Sequence, residues 1–184
     1  RFSQVKKRIQ NLYTDAYPLI TYTDGDQVVH KSDFPKDPAP KEVRIVRQDS
    51  DALQALLDSL TESEGVIGIM VNTVKTAQEM ARTYAARYGA ESVFLLHSNF
   101  IATDRAEKEA ELLQMIGKNA KRPKQKIIIG TQVIEQSLDI DLDVLITELA
   151  PMDLLIQRIG RLHRHPITRP KAHAEPVCYV LHTN

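Results

Sequence analysis

The chain has 184 residues, enough for one ordinary domain with an appendage but too few for two full α/β domains. Its 24 lysines and arginines balance its 24 aspartates and glutamates, so any nucleic-acid site has to be a local basic patch. The single cysteine, Cys178 in the apolar run "VCYVL", excludes a disulfide framework and predicts a small buried side chain in a reducing compartment.

No apolar run approaches the roughly 20 residues that span a bilayer, and no basic-then-apolar signal segment opens the chain. We therefore expect a soluble, cytoplasmic domain with no membrane partner. Because the chain begins at Arg1 and not at methionine, we also expect a piece of a longer polypeptide.

Residues 1–40 differ in character from the rest of the chain. The segment "RFSQVKKRIQNLY" predicts a short basic helix, and "LITYTDGDQVVHKS" predicts a hairpin around Asp24 and Gly25. The segment that follows, "DFPKDPAP", is rich in proline. We interpret residues 1–40 as a connector or entry segment and residues 41–184 as the main domain.

From Glu42 onwards, short apolar or β-branched runs alternate with segments of helical period that start near Asp51, Thr73, Thr103 and Met152. Apolar runs that are continuous rather than alternating indicate parallel strands covered on both faces. The sequence therefore predicts an α/β fold in which a parallel sheet of about six strands lies between helices. The predicted strands are "VRIVRQ", "VIGIMVN", "SVFLLHS", "KIIIGT", "VLITEL" and "PVCYVLH".

Polar residues follow three of these predicted strands. In an open α/β sheet, ligands bind outside the carboxyl ends of the strands, where helix N-termini offer free N–H groups. Each polar group also suits an ordinary helix cap, which is the alternative for any one of them. These residues are Asn72 and Thr73, His97 and Ser98, and the stretch "GTQ" at 130–132.

The segment from Met152 to Arg164 predicts one amphipathic helix with two different faces. At about 100° per residue, an apolar stripe faces the core and a polar group gathers within about 100° on the opposite side. The stripe consists of Met152, Leu155, Ile156, Ile159 and Leu162, and the polar group of Gln157, Gly160, Arg161 and Arg164.

The glycine on the polar side needs a reason, because glycine costs roughly 1 kcal/mol against alanine inside a helix. With no side chain at Gly160, a bulky ligand can approach the backbone between Gln157 and the two arginines. Arginines present planar, permanently charged donors that suit phosphate oxygens. The pattern predicts a phosphate-facing surface, and the alternative is a solvated basic face with an incidental glycine.

Three further patterns are less specific. The basic loop "KNAKRPKQK" at 118–126 either contacts a phosphate backbone or is simply solvated. The run "DIDLDV" imitates the start of a calcium loop, but valine occupies its sixth position and Ala150 stands where glutamate is needed. His163 and His165 point about 200° apart on a helix, so they cannot easily share a metal. We therefore predict no metal site in this chain.

Four motifs between Val66 and Arg164 occur in the order typical of superfamily-two helicases. "VNTVKTAQEMA" resembles motif IV, "LLHSNFIATDRAEKE" the motif that follows it, "GTQVIEQSLDI" motif V and "QRIGRLHR" motif VI. The glutamine at 157, the "EQSLD" form and the doubled "HRH" separate the chain from the histidine-led DEAD-box pattern. The resemblance is closest to the CRISPR-associated helicase-nuclease of type I systems.

This resemblance implies a RecA-like domain, the second of two that close on ATP and a nucleic-acid strand. Arg161 and Arg164 match the arginine fingers that reach the γ-phosphate, and such a finger accelerates turnover by about 10³ to 10⁵. Gln157 matches the residue that couples the phosphate site to the domain interface. The other residues of the implied ATP site are Asp139 and Gly160. Glu135 and Gln136 lie in the same motif V loop as Asp139 and have no defined role.

The same resemblance implies contacts to a nucleic-acid strand. Thr131 in motif V and Asn72 and Thr73 in motif IV match residues that contact the nucleic-acid backbone. His97 and Arg105 match strand-contacting positions in the motif between them. Contacts to the backbone give affinity without reading the base sequence, as a translocating motor requires.

The chain contains no G-x-x-x-x-G-K-[ST] loop, no D-E-x-H or D-E-A-D run and no His-Asp dipeptide. We therefore expect a missing first RecA-like domain to bind most of ATP and Mg²⁺, and an HD nuclease domain elsewhere to cut DNA. Single-stranded DNA and the guide-RNA surveillance complex are the other implied partners. The isolated chain is predicted to be inactive. The alternatives are a domain of another superfamily-two DNA or RNA helicase and a non-catalytic RecA-like module that binds nucleic acid.

Overall fold

The computed structural model describes residues 16, 19–24, 27–33, 41–135 and 138–182. The chain divides into two compact units, residues 1–41 and residues 42–184. In the first unit, strand β1 (Ile20–Asp24) pairs antiparallel with strand β2 (Gln27–Lys31). These strands flank the position of the predicted hairpin turn, whose Gly25 lies outside the described residues. The predicted basic helix and most of the proline-rich segment also lie outside them.

The second unit contains a six-stranded sheet with helices packed on both faces. Its strands are β3 (Arg44–Asp49), β4 (Gly65–Met70), β5 (Val93–Leu96), β6 (Gln125–Gly130), β7 (Val144–Glu148) and β8 (Val177–His182). Its helices are α1 (Leu53–Thr61), α2 (Val74–Tyr88), α3 (Ala102–Ile116), α4 (Gln132–Glu135) and α5 (Met152–Ile159), with short 3₁₀ turns at Ser50–Ala52, Ala90–Ser92 and Lys171–His173. Among these described helices, none combines the length and the apolar character that crossing a membrane requires.

The strand order is β3-β8-β7-β4-β6-β5, and every neighbouring pair is parallel. The predicted α/β fold, with a parallel sheet of six strands between helices, is confirmed. Since β4, β6 and β5 are neighbours, the polar residues that follow them lie at one edge of the sheet. These are Asn72 after β4, Thr131 after β6 and His97 after β5.

The central strands read as continuous apolar runs because both of their faces are covered. In β4, which is buried along its whole length, Val66 and Met70 pack into one core, whereas Ile67 and Ile69 pack into the core on the other side. Cys178 in β8 is buried, as predicted, and burial raises the pKa of its thiol to about 12.

Helix α5 is shorter than the sequence predicted, ending at Ile159 and not at Arg164. After Gly160 the chain turns, and the buried Leu162 forms a parallel bridge with Leu142. The bridge provides the hydrogen bonds that a further helical turn would have made. The predicted helix is therefore wrong beyond Ile159, because the apolar Leu162 pairs with the segment before β7.

Candidate nucleotide and nucleic-acid site

The segment that contains the two predicted arginine fingers is held by backbone hydrogen bonds. The Leu142 N–H donates to the Arg161 carbonyl at 2.8 Å, and the His163 N–H donates to the Leu142 carbonyl at 2.9 Å. Leu162, between them, is fully buried. Because these bonds hold the backbone on both sides of Leu162, the side chains of Arg161 and Arg164 extend from a fixed backbone.

Arg164 and Asp139, which were both predicted to belong to the ATP site, form an ion pair. The Arg164 Nε donates to Asp139 Oδ1 at 2.6 Å, and both side chains are exposed enough to meet a ligand. The hydrogen bond from Arg164 lowers the pKa of Asp139 below its usual range. The Arg164 backbone N–H also donates to Asp141 Oδ1 at 3.0 Å. The guanidinium is therefore oriented while it stays at the surface.

Arg161 is partly buried and uses only some of its donors. Its Nη2 donates to the Glu135 carbonyl at 2.7 Å, whereas within the described part of the chain its buried Nε has no hydrogen-bond partner. Burial lowers the pKa of Arg161, and the nearby charge of Arg164 lowers it further. Two neighbouring guanidinium groups with an unused donor form a site that favours an anion.

Gly160 and Gln157 are both exposed, but Gly160 does not lie inside a helix. It is the C-cap of α5 with φ of −60°, so the helix-interior penalty predicted for glycine does not apply here. A Cβ atom at this position would lie 3.2 Å from the Gln157 carbonyl oxygen, which is a tight contact. Glycine therefore relieves crowding at the helix end, and it also leaves the backbone open to a ligand.

The predicted docking stripe of α5 is wrong for Met152 and Ile156, which are 70% and 62% exposed. The buried face is rotated towards Arg158, which is fully buried and lies about 60° from Leu155 on the helix. An arginine can occupy the centre of a buried face when it is paired, and its pairing turns the two apolar side chains to solvent. The residues half-buried beside it are Leu154, Leu155 and Ile159.

Arg158 was not predicted as a site residue, yet its guanidinium makes hydrogen bonds to four residues. The signal available in the sequence was an arginine beside the apolar stripe, one position before Ile159, together with a glutamate, Glu135, in the motif V loop. Its acceptors are Glu135 Oε1 at 2.6 Å, Thr147 Oγ1 at 2.7 Å, Asn72 Oδ1 at 3.0 Å and the Glu148 carbonyl at 3.1 Å.

Asn72 and Thr73 follow the carboxyl end of β4 and are exposed. The Asn72 amide donates to a backbone carbonyl just after β7 at 2.9 Å, and its backbone N–H donates to Glu148 Oε2 at 2.6 Å. Thr73 is the N-cap of α2, because its Oγ1 accepts a hydrogen bond from the Thr76 N–H at 3.1 Å. The capping alternative thus accounts for the Thr73 hydroxyl, while Asn72 is held by its neighbours at the sheet edge.

Two of the predicted strand contacts are buried in this structure. Thr131 is fully buried, and among the described residues its Oγ1 has no hydrogen-bond partner. His97 is 4% exposed, its ring stacks on Phe100 with centroids 4.3 Å apart, and burial lowers its pKa. Arg105 is more accessible and pairs with Glu109 on α3 at 2.7 Å. A nucleic-acid strand can contact Thr131 and His97 directly only if those side chains become exposed.

A groove of about 660 Å³ lies beside β5. Cationic and aromatic side chains, Arg82, Lys108 and Phe100, line it together with apolar residues. Arg161 and Arg164 do not line this groove.

The acidic residues that follow Asp139 pair with arginines. Arg169 binds Asp141 at 2.8 Å and Asp143 at 2.6 Å, and Arg122 from the basic loop binds Asp143 at 2.9 Å. Burial alone would raise the pKa of Asp143, but Arg122 and the Val66 N–H hold it below its usual range. Among the described residues, no group of three His, Cys, Asp or Glu side chains is arranged to hold a metal ion.

Residues 63–167 match the family described as the C-terminal region of the CRISPR-associated nuclease/helicase Cas3. The chain is 54% identical over 177 residues to the CRISPR-associated nuclease/helicase Cas3 of Streptococcus thermophilus. That match covers 96% of this chain and 19% of the relative, so the chain spans about a fifth of the relative's length.

Solved structures show the same relationship. The crystal structure of T. fusca Cas3 with ADP has a TM-score of 0.77 at 30% identity, over 94% of this chain and 22% of that chain. A chain of a CRISPR RNA-guided surveillance complex in a pre-nicking state has a TM-score of 0.72 at 31% identity, over 92% of this chain and 23% of its own length. The C-terminal domain of the DEAD-box protein Dbp5 shares only the fold, with a TM-score of 0.54 at 18% identity over 79% of this chain and 78% of that domain. The predicted RecA-like fold is confirmed.

Proposed function

This chain belongs to the family of the Cas3 C-terminal region, and we propose that it is the second motor domain of an ATP-dependent DNA helicase or translocase. The longer protein acts in type I CRISPR interference in the cytoplasm. In that protein, this domain supplies arginine fingers and contacts to the nucleic-acid backbone. The phosphate cradle and the nuclease centre belong to other domains.

The arrangement of Arg161 and Arg164 is the observation that supports this proposal best. Both arginines flank the anchored Leu162, and Asp139 orients the second of them at 2.6 Å. A guanidinium fixed before the reaction stabilises developing charge without reorganising. A domain that only bound nucleic acid would have no need for this arrangement.

The residues present fit ATP as half of a site. Arg161 and Arg164 would bind phosphate oxygens, and Gln157, exposed on the same end of α5, would contact the partner domain. ATP supplies the γ-phosphate on which negative charge develops, and arginine fingers are worth about 10³ to 10⁵ in rate there. Asp139 is already paired with Arg164, so we assign Mg²⁺ to the first RecA-like domain.

Single-stranded DNA is the proposed nucleic acid, and the domain binds it through the DNA backbone. Asn72, Thr73 and Arg105 are accessible for such contacts, whereas His97 and Thr131 are buried and need to become exposed before DNA can contact them. Phosphate contacts of this kind give salt-dependent affinity that does not depend on base sequence.

The other proposed partners are a first RecA-like domain, an HD nuclease domain and the guide-RNA surveillance complex. The length of the Streptococcus thermophilus relative and the surveillance complex that contains a similar chain support them. Exposed apolar side chains on α5 and just before it support a docked domain, because such patches mark protein interfaces. They are Leu149, Met152 and Ile156.

ATP turnover stimulated by single-stranded DNA, measured in the full polypeptide, tests the proposal. Arg161→Ala and Arg164→Ala are each expected to lower turnover by about 10³ or more, because each removes a finger. Arg87→Ala is the matched control, since Arg87 is an exposed arginine paired with Asp58 on α1, and it should leave turnover unchanged.

Full stimulated turnover in the Arg161 and Arg164 variants would overturn the finger assignment and favour the non-catalytic binding module. Stimulation by RNA but not by DNA would favour another superfamily-two helicase. The isolated 184 residues should neither hydrolyse ATP nor cut DNA. ATP turnover by this fragment that Arg161→Ala abolishes would contradict the requirement for a partner domain.

A further inference from the structure

Arg158 is a fully buried arginine that joins four separate parts of the chain. Its side chain bonds Asn72 after β4, Glu135 in α4 and the end of β7 at Thr147, while its own backbone belongs to α5. Glu135 is 1% exposed, so the ion pair between Arg158 and Glu135 is shielded from water. Such a pair fixes geometry strongly, because breaking it would leave a buried charge alone.

The same side chain connects the two halves of the proposed site. On one side, the Arg158 Nη2 donates to Asn72 Oδ1 at 3.0 Å and so orients the amide proposed to meet DNA. On the other side, it holds the Glu135 carboxylate, and the Glu135 carbonyl accepts from the finger Arg161 at 2.7 Å. A movement of Asn72 therefore has a direct path of contacts to Arg161.

Unused hydrogen-bonding capacity lies next to this path. In the described part of the chain, the buried Glu135 Oε2 and the buried Arg161 Nε both lack partners. An unpaired acceptor and an unpaired donor on residues already in contact let the link respond when Arg161 shifts. Unpaired buried groups are costly, so this acceptor and this donor favour a new partner when one comes within reach.

We propose that Arg158 is a positioning residue that couples the DNA contact at Asn72 to the ATP contact at Arg161. This inference rests on the proposed helicase function and deepens it, since it names the residue through which DNA binding stimulates turnover. Arg158 touches neither ligand and acts through Asn72 and Glu135. Only a planar fork with several fixed donors can hold both at once, so lysine cannot replace it.

The test measures ATP turnover of the full polypeptide as the concentrations of single-stranded DNA and ATP are varied. Arg158→Lys keeps the charge beside Glu135 but loses the fork. It is expected to raise the DNA concentration for half-maximal stimulation about tenfold, the size of one lost hydrogen bond to a charged group. The KM for ATP should stay within about twofold, because Arg161 and Arg164 still meet the phosphates.

Two further variants keep the test decisive. Thr147→Val removes one acceptor of Arg158 at nearly constant volume and should act in the same direction with a smaller change. Arg122→Lys is the matched control, since Arg122 is a largely buried arginine paired with Asp143 at the opposite end of β7, and it should alter neither value. Thermal melting establishes that each variant is folded, and Thr147→Val decides if Arg158→Lys does not fold.

The outcomes separate this inference from the proposed function. If Arg161→Ala leaves turnover intact, the proposed function itself is wrong. If Arg161→Ala abolishes turnover while folded Arg158→Lys and Thr147→Val both keep the wild-type response to DNA, only the coupling role of Arg158 is wrong. A rise in the KM for ATP without a change in the response to DNA would also overturn it, because it would place Arg158 at the ATP contact alone.

Discussion

Two clusters, each built around a buried ion pair, lie at opposite ends of strand β7 and differ in how completely they are hydrogen-bonded. The carboxyl-end cluster consists of Arg158, Glu135, Thr147 and Asn72. The amino-end cluster consists of Asp141, Asp143, Arg122 and Arg169. Both join distant segments of the chain through ion pairs between arginine and carboxylate.

The difference lies in the atoms that are left over. In the described residues, no buried side-chain nitrogen or oxygen of the amino-end cluster lacks a partner. Among the described members of the carboxyl-end cluster, Glu135 Oε2 lacks one. Of the described buried groups outside the two clusters, Arg161 Nε, Thr131 Oγ1 and His173 Nε2 lack one as well. Unpaired buried groups destabilise a fold unless something else compensates for them. The two clusters therefore differ by one unpaired carboxylate oxygen, at Glu135.

The largest expected effect is the loss of stability when the amino-end cluster is broken. Asp143→Ala leaves Arg122 and Arg169 with one buried carboxylate fewer and should lower the free energy of unfolding by about 3 to 5 kcal/mol. Urea denaturation measures it, with Glu64→Ala at an exposed pair as the control that should change little. The DNA concentration for half-maximal stimulation should stay at the wild-type value in the molecules that remain folded. An unchanged free energy of unfolding would show that the amino-end cluster does not stabilise the fold.

The next effect compares two buried threonines. The Thr147 hydroxyl accepts from Arg158, so Thr147→Val should cost about 1.5 to 3 kcal/mol of unfolding free energy. The Thr131 hydroxyl has no partner among the described residues, so Thr131→Val should cost about zero or stabilise the fold. Parallel urea titrations of both variants measure the difference. Equal losses of unfolding free energy would mean that the hydrogen bond from Arg158 does not make the Thr147 hydroxyl more stabilising than the unpaired Thr131 hydroxyl.

A smaller effect concerns pH and one histidine near each end of the sheet. Burial lowers the pKa of His97 after β5 and of His173, which lies against Gly65 at the start of β4. The unfolded chain then binds protons more readily, so the free energy of unfolding should fall as pH drops through the unfolded-state value of about 6.5. Unfolding at about pH 7.5 and about pH 5.5 measures this loss. His97→Asn and His173→Asn should each reduce it, and a variant that leaves it unchanged would show that its end is open to water.

The smallest expected effect concerns the rate at which Cys178 is chemically modified. Burial raises the pKa of its thiol to about 12, so iodoacetamide should react with it only through unfolding. Mass spectrometry of the modified chain measures the rate. Asp143→Ala should speed the reaction, whereas Thr131→Val should not. Fast modification of the folded wild type would contradict the burial of the thiol.

The sequence by itself determined the parallel sheet, the order of its elements along the chain and the location of the motifs. These follow from local patterns, because a continuous apolar run or a helical period is visible within a few residues. The position of Asn72 and the shared segment of Arg161 and Arg164 followed from the same patterns. The ends of α5 and the direction of its faces did not.

Only the tertiary structure decided which side chains of the site are buried. Arg158 is buried because Glu135, 23 residues away, and Asn72, 86 residues away, neutralise and bond it there. Its pairing rotates α5, so Met152 and Ile156 face solvent although their spacing predicted the core. A charge can be buried only where distant partners meet it, and that meeting depends on the fold and not on local periodicity.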